Sequence, residues 1–264
     1  MFTEHTLRTR LPIGGLGLPL HFFESVGSTN DVALNLAQGG APHGTLVVAD
    51  AQTRGRGRGE RRWVTPAGTS LAFSVLLRPR LGAAEGAWGI GVAAALAVVE
   101  AMEVEGAEAA VKWPNDVLLG SRKAAGLLVD ALWEGERLEA AVVGIGVNVL
   151  EGSAPPDDQV DFPATSMQAV LGRAVDRGTL LLAILEALAR WLPRVGSGDL
   201  RQAWWQRMAY RDEWVSVEDR GKEMRGRLTG IDAEGGVILT TEIAGTVTVG
   251  AGAGRLRPID KPPE

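Results

Sequence analysis

The chain has 264 residues, no cysteine, three histidines, and 27 Lys and Arg against 32 Asp and Glu, a formal charge of −5. Without a thiol there is no disulfide framework, no cysteine nucleophile and no thiolate zinc site, and His5, His21 and His43 are too scattered for a three-histidine metal centre. A composition 45% hydrophobic and 22% charged is that of a folded globular chain, and the acidic sum argues against a general affinity for nucleic acid or anionic membrane.

In chain order, Arg8 and Arg10 before the apolar Leu11–Leu20 loosely mimic a secretory signal. Prolines and glycines interrupt the run, however, and no small-x-small cleavage site follows. Ser28-Thr29-Asn30-Asp31 is rich in N-cap residues and precedes Val32, Ala33, Leu34, Leu36 and Ala37, with Gly39-Gly40 as the stop, so a short helix is expected. Thr45–Gln52 and Ser70–Leu77 read as strands. The Ala-rich stretch from about Trp88 to Val104 reads as a buried helix too short to span a bilayer, and a cytoplasmic location with no membrane partner is expected.

Strands over Lys123–Leu132 and Arg137–Gly146 flank Trp133-Glu-Gly-Glu136, a hairpin connection, and Pro155-Pro-Asp-Asp158 marks a polar loop. Leu181, Ile184, Leu185, Leu188, Trp191 and Leu192 form an amphipathic helical stripe closed by Pro193, and a second helix, Asp199–Ala209, carries Trp204 and Trp205 as core aromatics. After Asp212 come short β-like runs, Trp214–Glu218, Met224–Ile231, Val237–Thr241 and Thr246–Val249. The turn clusters Asp219–Lys222, Asp232–Gly236 and Ala251–Gly254 separate them, the pattern of a small barrel.

Four segments carry chemistry. From Arg54 to Arg62 there are five arginines and one glutamate, interleaved with glycines and ending at Trp63. Glycine lets backbone amides approach a ligand while guanidinium groups converge on it, which suits a polyanion such as a nucleoside triphosphate. A nucleic-acid-binding Arg-Gly tract and a solvated loop are the competing readings. In Lys112-Trp-Pro-Asn-Asp116, Pro114 holds Trp113 extended and starts a turn. Asn115 and Asp116 then either close an Asx turn or serve a base or Mg²⁺.

In Lys123-Ala-Ala-Gly-Leu-Leu-Val-Asp130, Gly126 leaves room for a ligand against the backbone. Gly144-Ile-Gly-Val-Asn-Val149 ends a strand with no helix pattern after it, so a dinucleotide fingerprint fails and Asn148 is expected to point into a cleft. The cations comprise 23 Arg and only four Lys, at 112, 123, 222 and 261. Two of those lysines fall inside these segments.

Taken in order, Ser28-Thr29-Asn30, Gly55-Arg-Gly-Arg58…Trp63, Lys112-Trp-Pro-Asn-Asp116, Lys123-Ala-Ala-Gly126 and Gly144-Ile-Gly-Val-Asn148 closely resemble the biotin protein ligases. The resemblance implies an α+β fold: a mixed β-sheet with helices over residues 1–212, the catalytic biotin- and ATP-binding domain, and a small SH3-like β-barrel over 213–264. It implies ligation in two steps, through biotinoyl-5′-AMP, onto a lysine of the biotin carboxyl carrier protein of acetyl-CoA carboxylase.

Carried over by motif, Ser28, Thr29, Asn30 and Gln52 are expected to bind biotin, with Gly55 and Arg56 in the loop that closes over it and Gly126 lining its channel. Arg58, Arg61, Trp63, Asn115, Asp116 and Asn148 are expected to bind ATP, with Asp116 the candidate Mg²⁺ ligand. Lys123 and Arg58 are the expected catalytic residues, Lys123 also meeting the biotin carboxylate. Mg²⁺ is expected with ATP, with no redox cofactor and no zinc.

The loop departs from some family members in having Gly59-Glu60 between Arg58 and Arg61. The residues before Phe22 are too few for the winged helix of bifunctional members, so a monofunctional ligase without DNA binding or repressor activity is expected. A homodimer is compatible with the resemblance. The alternatives are a lipoate or octanoate ligase of the same fold and a nucleic-acid-binding module using the Arg-Gly loop. Trp214 is the only aromatic after Asp212, which leaves the latter without stacking residues.

Overall fold

The computed structural model describes residues 2–12, 15–79, 86–219, 221–241, 244–252 and 254–259. Parts of the Leu11–Leu20 run, of the turns at 219–222 and 251–254, and Lys261 lie outside the described residues. Seven strands build the main sheet: Leu20–Val26 (β1), Leu46–Gln52 (β2), Ser70–Leu77 (β3), Ala109–Lys112 (β4), Asp116–Leu119 (β5), Arg122–Glu134 (β6) and Arg137–Asn148 (β7). Their order is β1-β2-β3-β7-β6-β5-β4, with β1 and β2 parallel and all other neighbours antiparallel. The sheet is therefore mixed, as expected.

Helices cover both faces: Glu4–Arg8 (α1), Thr29–Gln38 (α2), Gly86–Val104 (α3), Met167–Leu171 (α4), Arg177–Trp191 (α5) and Gly198–Gln206 (α6). Strand alternation sorts the residues between the faces. Leu71, Phe73, Val75 and Leu77 of β3 and Val143, Ile145 and Val147 of β7 join the core with α3 and α5. Leu76 and Val142 pack with Ala33 and Ala37 of α2 on the other side. By length and hydropathy α3 could cross a bilayer, but it is apolar all round because it is buried between the sheet and α5.

The face shared with α2 carries few side chains near the centre. Cross-strand partners Ala72, Gly146, Gly126, Asp116 and Lys112 form one row across β3, β7, β6, β5 and β4. The adjacent row is Ser74, Gly144 and Leu128. Two glycines side by side leave a trough that ends at a carboxylate and an ammonium. This trough positions the site.

A second sheet, antiparallel throughout, is the small C-terminal β unit expected. It contains Trp214–Asp219 (β8), Lys222–Ile231 (β9), Val237–Thr241 (β10), Gly245–Val249 (β11) and Arg255–Pro258 (β12), in the order β11-β10-β9-β8-β12. It docks on the first sheet through tryptophans. Trp113 is fully buried and its Nε1–H donates to the Gly235 carbonyl (2.9 Å). Trp88 lies so close to Gly235 that any Cβ there would come within 1.9 Å of the indole nitrogen, and Trp88 meets Trp204 edge to face.

Candidate active site

A cavity of about 650 Å³ opens on the trough, bounded by the start of α2, the arginine loop, residues 155–164 and β12. Ser28, Thr29, Asn30, Gln52, Arg56, Arg58, Arg61, Trp63, Asn115, Asp116, Lys123, Gly126 and Asn148 all line it. Of the expected site residues only Gly55 lies off it, beside a smaller hollow of about 330 Å³ on the outer side of the loop. The loop turns back on itself, with Trp63 N–H donating to the Gly55 carbonyl (3.0 Å) and Gly57 N–H to the Arg61 carbonyl (2.8 Å). A Cβ on Gly55 would meet the Trp63 carbonyl oxygen at 2.3 Å, so this position requires glycine.

One end of the cavity is neutral. Ser28 occupies the N-cap position of α2 without capping a helix amide. The Thr29 amide donates to Gln52 Oε1 (2.9 Å), and Gln52 Nε2 donates to Thr65 Oγ1 (3.0 Å). Ser74 Oγ donates to Asn30 Oδ1 (2.6 Å) and lies 2.8 Å from Thr29 Oγ1. Asn30 Nδ2 donates to Asp130 Oδ2 (2.8 Å). The amide of Asn30 is thus committed to the protein on both sides. Arg56, expected at the same end, is also committed: Nε lies 3.0 Å from Asp31 Oδ1 and Nη2 pairs with Asp130.

The trough itself holds Trp63. A Cβ at Gly146 would meet the Trp63 indole nitrogen at 2.3 Å, and one at Gly126 would meet its ring at 3.0 Å. Its Nε1 is buried with no hydrogen-bond partner among the described residues. Lys123 reaches the same face through an irregularity. It lies three residues before Gly126, which in a regular strand would put it on the opposite face. The pairing of β5 with β6 skips Ala124, between Val117↔Ala125 and Leu118↔Lys123, and this bulge supplies the missing residue. Lys123 Nζ then lies 2.6 Å from Asp116 Oδ1 and 5.4 Å from the Trp63 ring centre.

The other end is cationic. Eight Lys and Arg side chains and three carboxylates line the cavity among the described residues, and most of the cations gather here. Lys112 Nζ is 4.0 Å from Asp116 Oδ2 and 4.7 Å above the Phe162 ring, whose other neighbour is the Arg257 guanidinium at 5.0 Å. Burial pushes the Lys112 ammonium down to about 8, with Asp116 opposing that shift and Arg257, Lys123 and Arg61 adding to it. Burial likewise lowers Arg58, reinforced by Arg61, and lowers Arg257, reinforced by Arg255. Arg58 crosses to the second sheet, where Nη2 donates to the Ala251 carbonyl (2.7 Å), and its buried Nη1 has no partner among the described residues. Like charges crowded in a half-buried space are a receptor for an anion.

The two asparagines differ. Asn115 Nδ2 donates to the Leu127 carbonyl (2.6 Å), which ties the turn between β4 and β5 to β6. Asn148 Nδ2 donates to the Thr165 carbonyl (3.1 Å), but its buried Oδ1 accepts from no group among the described residues. An unmet acceptor on a cavity wall suits an amine donor such as that of adenine.

Sequence reasoning gave no role to Lys112, Ser74, Asp130, Phe162, Arg255 or Arg257. Arg255 and Arg257 belong to a strand it did not read. Their side chains hold residue 161, with Arg257 Nη2 donating to the Asp161 carbonyl (2.7 Å) and Arg255 paired with the Asp161 carboxylate (2.9 Å). The alternation Arg-Leu-Arg, with Leu256 buried between two cations, was the available signal.

Residues 22–148 match the model of the biotin/lipoate A/B protein ligase family. The biotin–[acetyl-CoA-carboxylase] ligase of Paracoccus denitrificans is 39% identical over 221 residues, covering 80% of this chain and 90% of its own. The Mycobacterium tuberculosis protein of the same name is 34% identical over 262 residues, covering 94% and 93%. The biotin protein ligase of Aquifex aeolicus, solved in complex with biotin and ATP, superposes with a TM-score of 0.77 at 30% identity, over 91% of this chain and 99% of that one. The cavity, its cationic wall and these relatives agree: the chain belongs to the biotin protein ligase family.

Proposed function

We propose that the chain joins biotin to a lysine of a biotin carboxyl carrier protein at the expense of ATP. A biotin carboxylate oxygen attacks the α-phosphorus, and the bond to the departing pyrophosphate breaks. The acceptor amine then attacks the acyl carbon of biotinoyl-5′-AMP, loses a proton and expels AMP. One observation carries this reading: a single cavity joins a neutral, hydrogen-bonded end to a cationic end, with Lys123 at the junction.

In this reading Ser28, Thr29 and Gln52 take the ureido ring, with Asn30 behind them, and Gly55 and Arg56 hold the loop above it. Lys123 and Arg58 neutralise the charge that gathers between the carboxylate and the α-phosphate, while Arg61, Trp63, Asn115, Asp116 and Asn148 serve the nucleotide. Closely placed cations act by electrostatic stabilisation, and the enclosed space keeps water from the mixed anhydride. Residues 1–212 make the catalytic domain and 213–264 the appended β domain. The location proposed is the cytoplasm.

Magnesium does not fit Asp116 as a protein-held ion. Its carboxylate is engaged by Lys123 and Lys112, and the described residues contain no group of three or more His, Asp or Glu that could hold a metal. The ion belongs to MgATP as substrate, and no step passes through it here.

Exchange of labelled pyrophosphate into ATP tests the reading. Exchange that requires biotin is the expected result; exchange that requires lipoate, or none with either acid, overturns it.

A further inference from the structure

Asp130 stands outside the reaction scheme above, yet it joins two parts of the site. It lies two and four residues beyond Leu128 and Gly126 on β6, on the same sheet face, and it borders the outer hollow. Its Oδ2 accepts from Asn30 Nδ2 (2.8 Å) and from the Arg56 guanidinium, while Asp31 of α2 takes Arg56 Nε (3.0 Å). Two carboxylates from two different elements thus grip one loop residue by two of its nitrogens. The contacts run without a break from Gln52 through Thr29, Ser74, Asn30 and Asp130 to Arg56. The residues placed at the biotin end are therefore continuous with the grip on the loop.

The grip is only partly shielded. The side chains of Arg56, Asp31 and Asp130 are 37%, 50% and 24% exposed. Water competes for such pairs, so the loop is held closed by a reversible contact rather than by a buried, permanent one. Resting on the ligase reading, we propose that Asp130 is a positioning residue: with Asp31 it latches the arginine loop through Arg56 and retains the acyl-adenylate until the acceptor lysine attacks. Closure raises the fraction of protein competent to hold biotin, and apparent affinity follows that fraction.

The test uses the full chain and Asp130→Asn, Asp130→Glu and Asp31→Asn. Pyrophosphate exchange gives kcat and the KM for biotin, and biotin transfer to the lysines of added serum albumin gives the leak of adenylate. For Asp130→Asn the KM and the leak are each expected to rise about tenfold while kcat changes less than about threefold. Asp130→Glu restores most of both, and Asp31→Asn moves both about threefold in the same direction.

Wild-type KM and leak in Asp130→Asn, or a fall in kcat alone, overturns the latch. Should Asp130→Asn melt far below the wild type, Asp31→Asn on the exposed helix surface decides, and an unaltered leak there overturns it. A wild-type protein without biotin-dependent exchange overturns the ligase reading and the latch together. Normal exchange with an unaltered leak removes the latch alone.

Discussion

The two ends of the cavity differ in how complete they are. At the neutral end Thr29, Asn30, Gln52, Ser74 and Asp130 satisfy one another through hydrogen bonds of 2.6–3.2 Å. At the cationic end Arg58 Nη1 and Asn148 Oδ1 have no partner among the described residues, the Lys112 pKa is held near 8, and arginines crowd one another. The first end is shaped before any ligand arrives. The second is a set of charges that only an anion can reconcile. Binding of a neutral ring then depends on preorganisation, whereas binding of a triphosphate depends on relief of repulsion.

The largest effect is expected where the ends meet. Lys123→Ala removes the cation proposed to bridge carboxylate and α-phosphate, and biotin-dependent pyrophosphate exchange should fall about 10²–10³-fold. Asp116 keeps Lys112 within 4.0 Å, so the thermal midpoint should move by only a few degrees. Lys123→Arg should not rescue exchange, because the larger fork cannot fit between Asp116 and the Trp63 ring. Near-normal turnover in Lys123→Ala breaks the assignment.

The preformed end is best broken from below. A Cβ on Gly144 would meet Asn30 Oδ1 at 2.0 Å and displace the residue that ties Ser74 to Asp130. Gly144→Ala should cost about 1–3 kcal/mol, measured by urea unfolding. The KM for biotin should rise about tenfold while the KM for ATP stays within about twofold. Equal effects on both substrates would show that the two ends are not separable.

Much of this geometry was legible in the sequence, for identifiable reasons. Ser70–Leu77 and Arg137–Gly146 are apolar runs that read as strands, and Asn148 just past the second is expected to point into a cleft. The motif order then places Lys123, Asn148 and the arginine loop together. β4 and β5 were not legible, since four-residue strands on either side of a proline turn look like loop. The bulge at Ala124 was equally hidden, because Lys-Ala-Ala-Gly has no feature that shows which residue the pairing skips. In the sequence Asp130 is only the last residue of the Lys123–Asp130 run. Its role depends on Asn30 and Arg56, which are 100 and 74 residues away. Long-range polar contacts of this kind leave no periodicity to read.

The unfinished end makes a prediction about pH. The folded pKa of Lys112, about 8, lies below its ordinary 10.5. Between those values the unfolded chain keeps a proton that the folded chain has lost, so stability from this group is least below pH 8 and rises as pH approaches 10.5. The full span is about 3 kcal/mol. A bound triphosphate pulls the proton back, so ATP binding should take up a proton, and its KM should rise several-fold from about pH 7 to 9. Lys112→Met should flatten that profile, raise the KM for ATP about fivefold at neutral pH, and melt no lower than the wild type, because a buried repulsive charge is gone. A variant that keeps the pH profile would assign it to another group.

The smallest effect is expected at the joint between the sheets. Trp113 sits between Lys112 and the docked turn at Gly235, so its indole fixes where the second sheet lies. That sheet in turn supplies the Ala251 carbonyl to Arg58 and the arginines that hold Asp161 and flank Phe162. Trp113→Phe keeps an aromatic ring but loses the donor and part of the buried indole, leaving the Gly235 carbonyl unmet and a small void at a cost of about 2–3 kcal/mol. The KM for ATP should rise two- to threefold, or about 0.5 kcal/mol, with the KM for biotin unchanged. The contrast between the ends predicts this asymmetry, because among the described residues the contacts from the second sheet to the cavity fall on the cationic side. A biotin effect as large as the ATP effect would mean that the second sheet supports the neutral end as well.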